Sequence, residues 1–321
     1  MTRIHRQHQT GAALLAAMLT VTLVATLAAA ALWQQWRNVE VEAAERARTQ
    51  SAWILVGALD WARLILREDA RSGGADHLAE PWAVPLQEAR LASFLSVDKN
   101  ASDTEREAFL SGGITDLQAR LNVTSLIDGD KIAEPVRASF ARLFELLGLP
   151  PSELTLLVNQ LRLARTRGAG DTSASAPLPP QQANQLGWLG LSPQTLKVLD
   201  PYITLLPVAT PVNLNTASAE VLYASIPGLD MAGAQQLIRM RERSHFRTLT
   251  EAGQQLRHRS EPLDPSQHAV ATRFFEVRGR LRLEQMLLEE RSVVQRDGLD
   301  VRPLWRDRVA MTEAAAPPAT P

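Results

Sequence analysis

The chain contains no cysteine among its 321 residues. This absence excludes disulfide bonds, thiolate metal sites and a cysteine nucleophile. An excess of either charge is also missing, because 34 basic and 35 acidic side chains give a formal net charge of −1. We therefore expect no global electrostatic attraction to nucleic acid or to anionic lipid. Hydrophobic residues make up 45% of the chain, which is enough for the core of one large or two modest domains.

Motifs that carry catalysis are missing as well. The chain has no Gly-x-Ser-x-Gly element, phosphate-binding loop or dinucleotide fingerprint. No two of its six histidines have the His-x-x-x-His spacing of a metal-ligand pair. Since nothing supplies the paired acid and base or the activated nucleophile that catalysis requires, we expect a protein that is not an enzyme and has no certain cofactor.

A long uncharged run lies near the beginning of the chain. From Ala12 to Trp33 there is no charged residue, and a helix of this length reaches about 33 Å, enough to span a bilayer. Small and apolar side chains then recur at helical spacing as far as Ile65. The pattern predicts one long helix whose first part is a membrane anchor, because no signal-peptidase site follows the run.

The flanking residues predict how the anchor is oriented. Two arginines precede the span, and three glutamates follow it between residues 40 and 45. The positive-inside rule then places the N-terminus in the cytoplasm and the rest of the chain on the other side. Trp33 and Trp36 are expected at the outer membrane–water interface.

The junction before the span resembles a known signal. A short basic leader that ends in Gly11, directly before an apolar helix, is similar to the class III signal of type IV pilins and type II secretion pseudopilins. The resemblance implies that a prepilin peptidase cleaves between Gly11 and Ala12 and methylates the new amino terminus of Ala12. Most such subunits carry a glutamate at the fifth mature position, where it meets the amino terminus of a neighbouring subunit. This chain has Ala16 there, which resembles the minor pseudopilin K of the type II secretion system and is typical of a filament tip.

Two further blocks resemble the same family. The segment from Asn213 to Leu222 is similar to the opening of the family's helical insertion. Another block matches an Asp-x-Gln-x-(Arg/Lys)-hydrophobic-Asn pattern near the first sheet strands, through Asp116, Gln118, Arg120 and Asn122. Alternation predicts that the four side chains of the second block share one face of a strand, in an extended pair that starts at Gly112 and Gly113.

The segment after residue 211 has a helix-hairpin-helix pattern. Asn215 or Thr216 is predicted to cap a first helix, which Pro227 and Gly228 end. Such hairpins bind nucleic-acid backbone through free amides and nearby basic residues. Four arginines between residues 239 and 247 supply the basic residues, but Asp230 stands where a second glycine is usual. A packed helical lobe is therefore preferred, and nucleic acid is not expected as a partner.

The final third of the chain predicts a return to β-structure. In "FEVRGRLRL", which ends at Leu283, apolar residues and Gly279 alternate with four charged ones, Glu276, Arg278, Arg280 and Arg282. The arginine row is predicted to be the solvated face of a half-buried strand, and contact with an acidic partner is the alternative. Two more strands follow, joined by a turn at Asp297 and Gly298. The resemblance implies an α+β fold, with a pilin-like long N-terminal helix packed on an antiparallel sheet and a large, mostly α-helical inserted domain.

The sequence predicts seven segments. They are a leader at 1–11, a transmembrane helix at 12–33, a periplasmic continuation of the helix at 34–70, the first part of a pilin-like α/β domain at 71–130, an inserted helical domain at 131–260 with a helix-hairpin-helix lobe at 211–258, C-terminal strands at 261–310, and a disordered tail at 311–321.

Calcium binding stays open at two acidic stretches. Oxygen ligands cluster at Asp98, Asn100 and Asp103, and again at Asp128 and Asp130. Calcium binds such clusters in loops, and relatives in the resembled family bind it. Neither stretch has the full loop pattern, so solvated acidic turns are the alternative.

The resemblance implies a structural role in type II secretion. The chain would be a single-pass inner-membrane protein with a periplasmic globular domain. It would join minor pseudopilins I and J, with minor pseudopilin H or the major pseudopilin below them, cap the periplasmic pseudopilus and help to initiate its assembly for export of folded proteins. The prepilin peptidase and inner-membrane lipid are the other implied partners. The alternatives are a membrane-anchored helix-hairpin-helix DNA receptor and a minor pilin of a type IV pilus.

Overall fold

The computed structural model describes residues 10–91, 108–166, 177–256, 262–283 and 286–311. Its helices are α1 Thr10–Ser72, α2 Glu134–Leu146, α3 Pro151–Thr166, α4 Pro193–Leu199, α5 Ala219–Ser225, α6 Met231–Arg243 and α7 Leu249–Gln254. Its strands are β1 Leu86–Arg90, β2 Ala108–Asp116, β3 Leu121–Asn122, β4 Ile127–Asp128, β5 Lys131–Ile132, β6 Ile203–Thr204, β7 Val212–Asn213, β8 His268–Ala269, β9 Phe274–Leu283, β10 Met286–Asp297 and β11 Asp300–Met311. The chain divides into two compact units, residues 1–56 and 57–321.

Helix α1 is continuous, and the prediction of one long N-terminal helix is confirmed. It supplies the whole described part of the first unit. Its last turns belong to the second unit, where Leu59, Ala62 and Leu66 are buried. Their spacing of three and four residues places them on one side of the helix.

A five-stranded sheet forms the base of the second unit, in the order β1-β2-β9-β10-β11. All four strand pairings are antiparallel, as the sequence predicts. Strands β10 and β11 form a hairpin whose turn contains Gly298 at a φ of +58°. This left-handed conformation suits glycine, so the predicted Asp-Gly turn is confirmed.

One face of this sheet packs on the end of α1. The shared core contains Trp82, Phe275 and Val294, together with the buried residues of α1. The side chain of Arg63 on α1 also donates from Nε to the carbonyl oxygen of Val301 at 2.7 Å. Apolar packing and this hydrogen bond therefore hold the helix on strands β9 to β11.

Glycine allows two central strands to approach closely. Gly112 in β2 lies opposite Gly279 in β9. A Cβ atom on Gly112 would overlap the carbonyl oxygen of Arg278. Because β2 begins at Ala108, the prediction that Gly112 and Gly113 start the strand is wrong, and both lie in its middle.

The chain leaves the sheet after Asp116 and returns at Phe274. Residues 117–273 therefore lie between β2 and β9, whereas the sequence predicts an insertion at 131–260. This inserted segment has two lobes, and a two-residue parallel strand pair closes each of them. Strands β3 and β6 close the first lobe, and strands β7 and β8 close the second.

A continuous apolar core runs through both lobes of the insert. It is separate from the core between α1 and the sheet. On the opposite face of the sheet, a small cluster joins the insert to the strands through Leu117, Leu206, Phe274 and Val293. The sheet is thus covered by α1 on one face and partly by the insert on the other.

Candidate functional site: the membrane helix and the junction between sheet and insert

The first part of α1 is long and apolar enough to cross a membrane. Every side chain from Ala12 to Glu42 is exposed. Within the span, the hydroxyl groups of Thr20, Thr22 and Thr26 each donate to the carbonyl oxygen three residues earlier, at 2.9 Å. These side-chain hydroxyls need no water, so the span suits a hydrocarbon environment.

The predicted processing residues all lie on this helix. Gly11 and Ala12 are in its first turn, and Ala16 follows Ala12 by four residues. Ala12 and Ala16 are exposed and share one side of the helix. The rings of Trp33 and Trp36 lie 5.5 Å apart between centroids, at the end of the uncharged run. Residues 1–9 of the predicted leader lie outside the described part of the chain.

A buried polar network connects the sheet to the insert at Asp116. One carboxylate oxygen accepts from Asn213 Nδ2 at 2.9 Å and from Thr216 Oγ1 at 2.6 Å. The other accepts from the backbone N–H of Gln118 at 2.7 Å. Burial raises the pKa of Asp116, and these hydrogen bonds oppose that rise. The end of β2 is thereby fixed to the beginning of the second lobe.

The other residues of this sequence block extend the same junction. Gln118 donates to Pro211 O and accepts from the backbone N–H of Arg273. Asn122 accepts from Leu206 N and donates to Val208 O. A 3₁₀ turn at Leu117–Ala119 interrupts the backbone, so the prediction that these side chains share one face of a strand is wrong. Asp116, Gln118 and Asn122 act instead as buried connectors between segments distant in sequence, whereas Arg120 is only partly buried.

A second polar cluster, which we call the Arg296 cluster, was missed from the sequence. It contains Arg296 of β10, Asp69 of α1, Asp76 and Thr272. The guanidinium donates to both carboxylates and to the carbonyl oxygen of Thr272. Burial is the main cause that raises the pKa of Asp69 and of Asp76, and Arg296 opposes it. The sequence signal that points to this cluster is an arginine directly before the Asp-Gly turn.

Asp69 and Asp76 of the Arg296 cluster, together with the nearby Glu80, form the only group among the described residues with three acidic or histidine side chains close enough to hold a metal ion. Ligand oxygens of Asp69, Asp76 and Glu80 lie within 4.8 Å of one another. Arg296 already supplies a cation to two of them, and Glu80 accepts from Trp82 Nε1 at 2.7 Å. The geometry therefore favours ion pairing within the protein over a metal site.

The predicted calcium residues are not brought into that cluster. Asp128 is the last residue of β4, where it lies opposite Lys131 of β5, and Asp130 lies in the tight turn between the two strands; both are exposed. Asp98, Asn100 and Asp103 lie outside the described residues. Calcium at either stretch stays a prediction.

The second lobe contains the predicted helix-hairpin-helix, with different caps. Ser218 caps α5 by accepting from Val221 N, so the prediction of Asn215 or Thr216 as the cap is wrong. The Asn215 side chain is used elsewhere, because it bonds both backbone polar groups of Phe246. These long-range bonds fix the position where the second lobe closes.

The hairpin itself has little capacity for a phosphate. Asp230 caps α6 by accepting from Gly233 N at 2.7 Å, so this backbone donor is occupied and a carboxylate lies beside it. Arg241 donates to Leu214 O, and burial lowers its pKa to about 10. Exposed basic side chains remain at Arg239, Arg243 and Arg247.

Two histidines connect the loop after α1 to the second lobe. The imidazole rings of His77 and His245 are stacked, with centroids 3.8 Å apart and planes 13° apart. Burial lowers the pKa of His245, and the nearby His77 and Arg247 lower it further, while Glu251 opposes the shift. A charge on both rings would therefore weaken this contact.

The arginine row of β9 is more than a solvated face. Arg278, Arg280 and Arg282 form ion pairs with Glu276, Glu289 and Glu88, respectively. Glu276 and Glu289 are mostly buried. The three arginines stay partly exposed, as expected for a solvated face, and acids of the same sheet neutralise much of their charge.

Comparison with known proteins gives one consistent family. A family model described as "Type II secretion system (T2SS), protein K" matches residues 212–271. This match begins at β7 and ends just beyond β8, the two strands that close the second lobe.

Whole-chain relatives extend the match. Type II secretion system protein K of Pseudomonas aeruginosa is 27% identical over 295 residues, which cover 85% of this chain and 84% of the relative. The protein of the same description from Pectobacterium carotovorum is 25% identical, over 94% of this chain and 97% of the relative. A Klebsiella pneumoniae relative is 29% identical, over 74% and 76%.

The resemblance to type II secretion system protein K is confirmed. The fold agrees with it. A chain in the crystal structure of the GspK-GspI-GspJ complex from the enterotoxigenic Escherichia coli Type 2 Secretion System matches with a TM-score of 0.59 at 16% identity. That match covers 83% of this chain and 98% of the other, and it shows the fold alone. Together, the comparisons support a minor pseudopilin role in type II secretion.

Proposed function

We propose that this protein K-type chain caps the tip of the periplasmic pseudopilus and helps to initiate its assembly for the export of folded proteins. The observation that carries the proposal is Ala16, exposed on the apolar span five residues after Gly11. A carboxylate in this position would bind the amino terminus of a neighbouring subunit within the membrane. A subunit without it has no such contact to offer to a subunit ahead, which suits the first position of a filament.

The inserted domain supports the same position. Residues 117–273 add two lobes to the sheet and are held there by the networks around Asp116 and Arg296. A rigidly held addition of this size would obstruct further subunits at that end of the filament. We therefore assign the insert the role of a cap rather than of a mobile arm.

The proposed partners follow from this position. The protein K relative of known structure is in a complex with GspI and GspJ, and this chain is proposed to join minor pseudopilins I and J, above minor pseudopilin H or the major pseudopilin. Helix α1 would anchor it in the inner membrane with a cytoplasmic N-terminus and a periplasmic second unit. A test is purification of the full chain from membranes that also contain tagged I and J. A stable three-protein complex is expected, and an I–J complex that excludes this chain would contradict the assignment.

Processing is the second part of the proposal. The prepilin peptidase is proposed to cut between Gly11 and Ala12 and to methylate Ala12. Intact-mass analysis of the chain from membranes with and without the peptidase tests this step. We expect loss of residues 1–11 and gain of one methyl group only when the peptidase is present. A Gly11→Val variant should stay uncut, whereas Ala17→Val, within the span, should be processed normally.

An uncut chain in both membranes would contradict the pseudopilin proposal. It would direct attention to the alternative of a membrane-anchored DNA receptor, which needs no such cut. A type IV minor pilin would be cut in the same way. The complex with I and J separates that alternative from the proposed function.

A further inference from the structure

The end of α1 brings together more negative than positive charge. Ligand oxygens of Asp69, Asp76 and Glu80 lie within 4.8 Å of one another. Arg296, which is 10% exposed, donates to Asp69 and to Asp76. If all three acids were ionised, three negative charges would therefore face one positive charge.

The other charges at this position do not restore the balance. Arg273 and Asp297 line the same cavity of about 230 Å³, but they form an ion pair with each other. Asp69 is only 12% exposed, so water screens its charge poorly. Burial is the main cause that raises the pKa of Asp69, and the charge of Glu80 raises it further, while Arg296 opposes the rise. A bound proton would remove one of the crowded charges.

Hydrogen bonding places that proton between Asp69 and Glu80. One carboxylate oxygen of Asp76 accepts from Arg296, and the other accepts from the backbone N–H of Thr272. Asp69 and Glu80 lie within hydrogen-bonding reach of each other. A carboxylate is only an acceptor, so these two side chains can bond only when one of them is protonated. The resulting O–H···O⁻ bond is charge-assisted and strong.

Two neutral donors fix the position of Glu80. One of its oxygens accepts from Trp82 Nε1 at 2.7 Å and from the backbone N–H of His77 at 2.9 Å. Both bonds use the same oxygen, which leaves the other oxygen for Asp69. Since Trp82 is buried in the core between α1 and the sheet, Glu80 connects this core to the end of the helix.

We propose that Asp69 and Glu80 share one proton, and that this carboxyl pair is a pH-dependent connection between the end of α1 and the segment 73–85. When it is protonated, the pair joins the helix to the segment through one hydrogen bond. When it is deprotonated, the pair becomes two like charges that repel each other. Because the folded state holds the proton more tightly than the unfolded chain, the contribution to stability is complete at low pH and is lost as the pH rises through the raised pKa. The inference does not depend on a position at the pseudopilus tip.

Carbon-13 NMR of the carboxyl groups, on the full chain in detergent, tests this proposal. In a titration from about pH 4 to about pH 9, the signals of Asp69 and Glu80 should change together in one step, above the ordinary range of carboxyl groups. Glu80→Gln keeps an oxygen acceptor and offers an N–H group to Asp69, so Asp69 should titrate at lower pH in this variant. Asp60→Asn, which removes an exposed acid of α1 paired with Arg63, is the matched control and should leave both signals unchanged.

The indole N–H signal of Trp82 and urea unfolding test the connection itself. Trp82 donates to Glu80, so its signal should shift in the same pH step in the wild type and stay in place in Glu80→Gln. Between about pH 5 and about pH 8, the wild type should lose more stability than this variant, because only the wild type gives up the shared proton. The titrations of His77 and His245 are common to both proteins and cancel in the comparison.

Three results would overturn the proposal. Separate titrations of Asp69 and Glu80 in the ordinary carboxyl range would show that they share no proton. A Glu80→Gln variant with the pH dependence of the wild type would show that the pair does not control stability. Calcium chloride that shifts both carboxyl signals at about pH 8 and restores the stability found at low pH would make the three acids a metal site.

Discussion

The Arg296 cluster and the arginine row of β9 both pair arginine with carboxylates, but the burial of the arginine side chains differs. Arg296 donates to Asp69 and Asp76, which matches one cation to two carboxylates. In the arginine row of β9, Arg278, Arg280 and Arg282 are 36–39% exposed, and each pairs with one carboxylate. The comparison teaches that the first group is complete within the chain and maintains the fold. The second is partly solvated, so each of its ion pairs contributes less to stability.

The largest effect expected from this comparison comes from Arg296→Met. The substitution leaves two buried carboxylates without their cation, so the free energy of unfolding should fall by about 3–5 kcal/mol. Urea unfolding of the full chain in detergent, followed by tryptophan fluorescence, measures it, since Trp82 is buried in the core beside Phe275. Arg273→Met, which removes an exposed ion pair with Asp297, is the control and should change little. Equal losses in the two variants would remove the distinction between a structural and an exposed arginine.

Asp116→Ala extends the comparison to a buried acid that lacks an ion-pair partner. The change removes the carboxylate that accepts hydrogen bonds from the backbone N–H of Gln118 and from Asn213 Nδ2. Because these donors are buried, the free energy of unfolding should fall by about 2–3 kcal/mol. The same urea titration measures the loss. Thr115→Ala on the neighbouring exposed position should have little effect. If both variants unfold at the wild-type midpoint, the network does not hold the insert to β2.

A pair of adjacent glycines tests whether backbone fit, rather than charge, sets the spacing of the central strands. Gly112→Ala should cost about 1–3 kcal/mol of unfolding free energy, because its Cβ overlaps the carbonyl oxygen of Arg278. Gly113→Ala is the matched control, since the nearest atoms to its Cβ are 4.0 Å away on Pro85. It should be neutral or slightly stabilising. A larger loss at Gly113 than at Gly112 would contradict the strand geometry.

The smallest effect expected is the pH dependence of the His77–His245 contact. Because the pKa of His245 is lowered in the folded state, the unfolded state binds more protons and stability falls as the pH decreases through about 6.5. The buried aspartates, whose pKa values are raised, contribute with the opposite sign. Comparing wild type with His245→Gln at pH 7.5 and 5.5 cancels their contribution. The variant should lose less stability on acidification, and an identical loss would exclude the histidine pair as its cause.

Periodic segments were well predicted from the sequence. The continuous α1 and the hairpin of β10 and β11 follow from hydrophobic spacing and a local Asp-Gly turn, which need no distant partner. The helix pair α5 and α6 follows from the same local signals. The resemblance to pseudopilins at Gly11 and Ala16 also depends only on residues that are close together in the sequence.

The polar junctions were not predictable in the same way. Asn215 is a residue type that often caps a helix and lies just before one. Its side chain instead accepts a hydrogen bond from the backbone N–H of Phe246, 31 residues away. The Arg296 cluster brings together residues separated by more than 200 positions. Which buried polar groups meet is decided by the fold of the insert on the sheet, and no local pattern in the sequence encodes that contact.

The central claim is that this chain occupies the tip of the pseudopilus. Immunogold electron microscopy of pseudopili assembled in the presence of the epitope-tagged full chain tests it most directly. The account predicts label at one end of each filament and none along the shaft, because Ala16 and the insert both oppose a subunit ahead. Label distributed along the shaft would contradict it.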